Sequence, residues 1–389
     1  MTRKFALALA LGLITQGAAA APVISDFVVY GATSVSIGSN TGAPVDAAIG
    51  SGGSITIQQN ANVGDGDDAI IITGGGAYTG AQNGNYVGDI IFGGSVSLGQ
   101  NSTVLGSVHS GGSVSTAQNV TVNGDVVAAG AISIGNGNNI GGDVHGGGSV
   151  VLGNNVNIGG TALAGGAVAV GSNVSVAGVV NGAPAPTPLA PPVIALPEAN
   201  SFTAGGANKT VGNGGTLSLL ADTYGALTVA NNGFVSLSGG EYFFDSMTFG
   251  NNGVLELDLS LGAIIINIVG NLSIGNGFDI VLLGGDATDV LFEVHGNAAI
   301  GNGADWFGTL FAPDGKISFG NDADITGAIY GDIVQIGNNS RFSYATSSIL
   351  FGGAGGPGPA PAEVAEPAAL GVLGLGLLAI GIRRGRRRA

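Results

Sequence analysis

From residue 89 to residue 178 the chain divides without a gap into five segments of eighteen residues, 89–106, 107–124, 125–142, 143–160 and 161–178, each closing on glycine. Within a segment apolar residues recur every six positions, as Val108, Val114 and Val120 do in the second and Val144, Val150 and Val156 in the fourth. Around each of these positions the pattern alternates, as in Val150-Val151-Leu152, which is the period of a short strand. Three six-residue strands closing on a turn make one triangular coil. The repeat therefore predicts an all-β chain, a parallel β-helix (β-solenoid) of roughly 18-residue triangular coils stacked on one another.

The corners follow the same period. Each segment carries Gly-Gly or Ala-Gly at one corner (Gly93-Gly94, Gly111-Gly112, Ala129-Gly130, Gly147-Gly148, Gly165-Gly166), which suggests corners needing positive φ. A second corner places Asn101, Asn119, Asn155 and Asn173 in equivalent positions, with Gly137 substituting once. Stacked ~4.8 Å apart, those amides are placed to hydrogen-bond from coil to coil. The 75 glycines do not indicate collagen, because no Gly-X-Y period exists, and 45% hydrophobic residues exceed what disordered chains carry.

Rungs such as Gly142-Asp143-Val144-His145-Gly146-Gly147-Gly148-Ser149-Val150 resemble the bactofilins, a polymer-forming β-helix family; the likeness covers residues 88–181 and implies a right-handed parallel β-helix. Upstream, Val35-Ser36-Ile37 and Ser54-Ile55-Thr56-Ile57 read as imperfect terminal rungs of a first tract, 21–181, with an insertion over 65–88. Residues 182–198 hold Pro184, Pro186, Pro188, Pro191, Pro192 and Pro197, too many missing amide donors for a ladder strand, so this stretch is a linker or an extended staple. A second tract, 199–351, has a looser period marked by apolar-x-apolar-Gly-Asn, as in Leu272-Ser273-Ile274-Gly275-Asn276, with spacings of 17 to 26. Its Leu310-Phe311-Ala312-Pro313-Asp314-Gly315 and Gly327-Ala328-Ile329-Tyr330-Gly331 resemble surface-anchored, adhesin-like proteins of the choice-of-anchor group.

The two ends read as addresses. Arg3 and Lys4 precede an apolar run, and Ala18-Ala19-Ala20 before Ala21 offers the small residues of a signal-peptidase site, so 1–20 is expected to be a signal peptide cut between Ala20 and Ala21. After a Gly/Pro/Ala-rich linker at 352–363 comes an apolar segment, 368–382, followed by Arg383, Arg384, Arg386, Arg387 and Arg388, a basic cluster that holds this end cytoplasmic. At ~1.5 Å per residue that segment reaches only ~22 Å as a short hydrophobic helix, against ~30 Å of hydrocarbon. Val364-Ala365-Glu366-Pro367, the apolar stretch and the terminal arginines together resemble the PEP-CTERM sorting tail of Gram-negative bacteria, with Ala365 standing where the usual motif has its first proline. The resemblance implies processing at Glu366-Pro367 by an exosortase, transient insertion in the inner membrane, and release to the outer surface or exopolysaccharide matrix.

Between the expected signal peptide and the terminal arginine cluster only Lys209, Lys316 and Arg341 are basic against 25 acidic residues, a net charge of −22. That balance disfavours nucleic acid and anionic glycans and suits cations or neutral sugars. No cysteine is present, so stability rests on backbone ladders and a narrow core. Asp65, Asp67 and Asp68 have the carboxylate density of a calcium loop, though without EF-hand or β-roll spacing, and Asn321-Asp322-Ala323-Asp324 is a weaker echo. His109 and His145 fall two coils apart, roughly 9.6 Å, too far to share one metal ion. His295 reads as an ordinary rung residue. Asp125 and Asp143 are better read as corner residues than as an acid pair, and from Phe5 to Asn208 no basic residue is present to handle an acidic sugar. No nucleophile triad, phosphate loop or cofactor fingerprint appears. The expected function is structural and non-enzymatic, a secreted protein of the cell surface or biofilm matrix in contact with extracellular polysaccharide or with further copies of itself. A carbohydrate- or ice-binding adhesin using one lateral face is the second expectation, although the matching positions Ser97, Ser115, Ser133, Val151 and Ala169 form no Thr-x-Thr ladder, and a polysaccharide lyase or hydrolase is the third.

Overall fold

The computed structural model describes residues 23–43, 48–64 and 70–345. It is an all-β parallel solenoid of about 16 turns. The sequence repeat appears directly as register, since Val96 pairs with Val114, Val114 with Ile132, Ile132 with Val150 and Val150 with Val168, each eighteen residues on. Each turn contributes one strand to each of three faces, such as Val96–Leu98 on face A, Thr103–Val104 on face B and Val108–Ser110 on face C. Alternation sends Val96, Leu98, Val104 and Val108 inward, all at most 1% exposed, into one continuous apolar column.

One residue per turn at the corner between faces A and B is left-handed. Among the described residues eleven non-glycine residues, all asparagine except Asp322, lie there at φ between 53 and 59°. Their side chains form the expected ladder, and it runs further than the repeat region. Asn119 donates to Asn101 (3.1 Å), Asn101 to Asn83 (3.1 Å), Asn83 to Asn60 (2.9 Å), Asn60 to Asn40 (2.8 Å), Asn40 to Asn339 (2.9 Å) and Asn339 to Asp322 (2.9 Å). A carboxylate has no donor, so Asp322 can stand only at the accepting end, as it does. Gly137 holds the same position at φ 70° without a side chain, and the ladder stops beside it. The Gly-Gly corners have a different cause from the one expected. None has positive φ; instead a Cβ on Gly111 would lie 2.3 Å from the Gly93 carbonyl of the preceding turn, so close stacking rather than dihedral freedom favours glycine there, with Ala129 the one residue of the series that carries a methyl.

The two tracts form a single stack, joined in an order that the chain does not follow. The strand Phe27–Ile37 pairs on one side with Ala48–Ser51 and Ser54–Ile57, and on the other with Ile329–Ile336, where Val29 meets Ile329 and Val35 meets Val334. The first rung is thus not a terminal cap. It sits in mid-stack, clamped where Tyr330 donates to Phe27 O (2.8 Å), Thr33 to Asp332 (2.5 Å) and Tyr344 to Ser25 O. The insertion expected over 65–88 also shrinks. Tyr78–Gly80 and Asn85–Tyr86 make a regular turn, with Tyr78 paired to Ile55 before it and Val96 after it.

The free ends of the stack are therefore the turn at Lys209 and the turn ending at Asn181, and residues 182–208 connect them. About 16 turns at ~4.8 Å need roughly 75 Å, and an extended proline-rich segment at ~3.1 Å per residue spans about 80 Å. The segment lies along face C as a strap. Pro184 O accepts from His145 Nε2 (2.9 Å), Leu189 N donates to His109 Nδ1 (3.4 Å), Ile194 O accepts from Tyr30 (2.7 Å), and Asn200 N and Nδ2 donate to Glu293 (2.5 and 2.6 Å). Phe202 then stacks on His295 at 4.1 Å. The strap buries side chains that point outward from face C, Glu293, Phe311 and Tyr330 among them.

The segments read from sequence as signal peptide (1–20), linker (352–363) and sorting tail (364–389) lie outside the described residues. Among the described residues no helix is long and apolar enough to cross a membrane.

The left-handed corner makes a separable test. Asn83→Ala places a Cβ-bearing residue at φ 58° and removes two ladder bonds, whereas Asn83→Gly removes the bonds alone. Equilibrium denaturation should show the alanine variant less stable than the glycine variant by about 1 kcal/mol. Equal losses would assign the corner to the ladder rather than to the backbone.

Candidate binding faces

With face C under the strap, faces A and B remain open. Face A presents one outward residue per turn between two buried ones. Through the second tract these are Thr210, Thr228, Thr248, Ser273, Ala299, Ser318 and Gln335, and they continue across the joint as Ser36, Thr56, Thr79, Ser97, Ser115, Ser133, Val151 and Ala169. The column contains no charge, although the chain is strongly acidic. Sequence periodicity alone finds only its last five members, because the threonines belong to turns of other lengths whose place in the stack is set by the joint. Small side chains at an even ~4.8 Å spacing make a flat surface of hydroxyl and methyl groups.

Face B is not flat. In the second tract its strands are three to five residues long, the longest being Phe234–Ser238, Val254–Asp258 and Asp279–Leu283, whereas Asn62–Val63, Asn85–Tyr86 and Thr103–Val104 beyond the joint have two residues each. A groove of about 480 Å³ opens on this face, lined by Gly42, Asp305, Phe307, Asp324, Arg341 and Phe342 among others. Register places Asp279, Asp305, Asp324 and Arg341 on four successive turns. Burial pushes the Asp305 carboxyl above the usual carboxylate range, and the carboxylates of Asp279 and Asp324 on either side push it the same way. Arg341 makes no ion pair among the described residues; the pair found there is His295 with Glu293 at 3.2 Å.

The residues that the sequence singles out for chemistry fall elsewhere. His109 and His145 face the strap, two turns apart with Val127 between them; burial holds the His109 imidazole below its ordinary value, with Asp89 and Asp125 opposing. His295 is held between Glu293 and Phe202. Asp125 is a corner residue, its Oδ1 accepting from Asp143 N at 2.7 Å, and Asp143 accepts from Thr161 N at 2.6 Å. Asn321 accepts from Asn338 N at 2.8 Å while Asp322 ends the amide ladder. Among the described residues no three His, Cys, Asp or Glu side chains are grouped to hold a metal ion. Asp65, Asp67 and Asp68 lie outside the described residues, as do Ala20, Ala21, Val364, Ala365, Glu366, Pro367 and the arginines 383–388. The groove had no sequence signal, since Gly42 and Arg341 meet there from opposite ends of the chain.

No protein-family model matches the chain, and no curated protein matches it. Among solved structures it is similar to an ice-binding protein from an Antarctic Flavobacteriaceae bacterium, at 15% identity and TM-score 0.25, covering 87% of this chain and 98% of that one. It is similar also to an ice-binding protein from the Antarctic ascomycete Antarctomyces psychrotrophicus, at 16% identity and TM-score 0.27, covering 55% and 93%. A possible adhesin C-terminal domain from Caldicellulosiruptor kronotskyensis matches at 11% identity and TM-score 0.23, covering 90% and 96%. Likenesses of this order carry no argument about ligand or activity.

The raised Asp305 has a definite consequence for stability. Its ionised form is disfavoured in the folded chain, so folding loses stability as pH rises through the unfolded carboxylate value toward the folded one, and the loss persists above it. Asp305→Asn should melt at a higher temperature than the parent chain at pH 7, with the gain vanishing below the ordinary carboxylate range. A gain independent of pH would assign the effect to packing instead.

Proposed function

We propose that the chain is a non-enzymatic structural protein, exported and sorted by its C-terminal tail to the cell surface or exopolysaccharide matrix, where it associates with a second copy end to end. The observation that supports association is the turn ending at Asn181. Its strands Val168–Val170 and Ser175–Asn181 pair on one edge only, among the described residues. Inward-pointing Val170 and Val179, whose equivalents in earlier turns are covered, are 48% and 43% exposed. From residue 146 to residue 197 the chain has no charged side chain, so this end is neutral on an otherwise acidic body. An unpaired edge over exposed valines favours pairing with another chain. The opposite end differs, because Lys209 takes the inward position held by Leu227 and Met247 in the following turns, with its ammonium 5.4 Å from the Tyr224 ring centroid. Burying that charge against valines would be costly, so like ends meet and the product is a pair rather than a filament.

Sedimentation of the exported protein should show a concentration-dependent dimer that Val170→Glu and Val179→Glu abolish, and mass spectrometry of the same material should place its C-terminus upstream of the arginine cluster. A monomer at all concentrations would remove the association, and an intact 383–389 segment would remove the sorting.

Face A favours a second reading. Its neutral hydroxyl column fits a flat, regularly repeating surface, either ice or a crystalline neutral glycan. Thr79→Tyr and Ser115→Tyr raise bulk on that plane without touching the core, and both should reduce adsorption to ice or to insoluble cellulose. Wild-type protein that adsorbs to neither surface would exclude this reading.

A further inference from the structure

We propose that the groove on face B is a binding site for a neutral sugar unit of a polysaccharide chain, with Asp324 and Asp305 receiving its hydroxyls, Arg341 donating to its oxygens and Phe307 covering its apolar face. The site is distinct from the hydroxyl column of face A and from the end that self-associates. It rests on the matrix reading only for the source of the sugar.

The groove lies over the outward side chains of Asp305–Phe307, Asp324–Gly327 and Arg341–Tyr344 where they meet Gly42, which contributes no side chain to it. Its volume of about 480 Å³ falls within the ~300–1,000 Å³ typical of small-molecule sites. Three kinds of group converge there. Asp305 and Asp324, paired in register on adjacent turns, are acceptors matched to the donor hydroxyls of a sugar. Arg341 follows on the next turn, and its guanidinium has no hydrogen-bond partner among the described residues, leaving planar donors free for hydroxyl and ring oxygens. Phe307 is half-buried at the groove wall and supplies an apolar surface for the C–H face of the ring. Two carboxylates against one guanidinium leave the lining net negative, which disfavours uronic acids and sulfated sugars. A cation is the other ligand an acidic lining suggests, but the described residues offer no third ligand side chain, and Arg341 repels it.

The test is calorimetric titration of the full exported protein with cellohexaose, laminarihexaose and mannohexaose, set against trigalacturonate and calcium chloride. At least one neutral hexaose should bind, and Asp324→Asn, Arg341→Gln and Phe307→Ala should each weaken it by roughly tenfold or more. Val170→Glu at the associating end should leave it unchanged, so that failure of the association reading is told apart from failure of this one. Circular dichroism checks that each variant retains the solenoid. The proposal is overturned by no neutral binding up to about 10 mM, by binding indifferent to Asp324→Asn and Arg341→Gln, or by tighter binding of trigalacturonate or calcium than of every neutral sugar. Release of shorter sugars, lost in Asp324→Asn, would keep the groove and overturn the non-enzymatic reading.

Discussion

Each turn of this solenoid closes through a left-handed residue between faces A and B, and the lateral surfaces depend on that closure. An L-residue pays roughly 1–2 kcal/mol for the conformation, least for asparagine, whose amide can hydrogen-bond locally. Here the amide bonds to the same residue of the next turn, so the residue that tolerates the dihedral also ties the turns together. The neighbouring column works differently. Asn276, Asn302 and Asn321 each accept a backbone N–H from the following turn at 2.8 Å, which satisfies donors that the corner takes out of the strand ladders. A fixed corner of this kind lets the other corners vary, and turns of 17 to 26 residues stack in one register.

That tolerance is what makes the joint workable. Parallel strands carry no record of which turn should follow which; they require only matched alternation and an apolar inward column. Val35-Ser36-Ile37 satisfies Val334-Gln335-Ile336 as well as it satisfies Ile55-Thr56-Ile57. The chain can therefore lay down its second tract beneath its first, provided that something returns it along the whole stack. The prolines of the strap suit that task, since they hold the segment extended and bring no amide donors that face C would have to satisfy. Leu189 N, which donates to His109, and Asn200, which donates twice to the buried Glu293 carboxylate, are exceptions.

These facts separate what the sequence shows from what it hides. The period of eighteen, the inward valines, the asparagine ladder and the unsuitability of 182–198 for a strand were all legible, because each is local or repeats at fixed spacing. The position of the first rung was not. Its partner Ile329–Ile336 lies some three hundred residues away, and alternation is shared by every rung, so the beginning of the chain looked like the beginning of the stack. The same ambiguity hid the threonines of face A from the serines that continue them. Glycine at the Gly-Gly corners was legible as a constraint but not as to cause, since φ and stacking distance leave the same residue in the sequence.

Charge is distributed along the same lines. Repetition at ~4.8 Å sets any charged residue on a face beside its own kind in the next turn, where like charges repel. The outward column of face A avoids this by carrying none. At the corners Asp125 and Asp143 each turn one oxygen onto a backbone N–H, which offsets part of the repulsion. Among the described residues Asp279, Asp305 and Asp324 accept no such N–H, and the Asp305 carboxyl is raised first by burial and then by the acids on either side of it. A solenoid that elsewhere avoids or compensates such rows keeps one along the groove, next to an arginine that has no ion pair among the described residues. The row costs stability, and its chemistry, acceptors beside donors in a recess with an aromatic wall, is that of a site rather than of a scaffold.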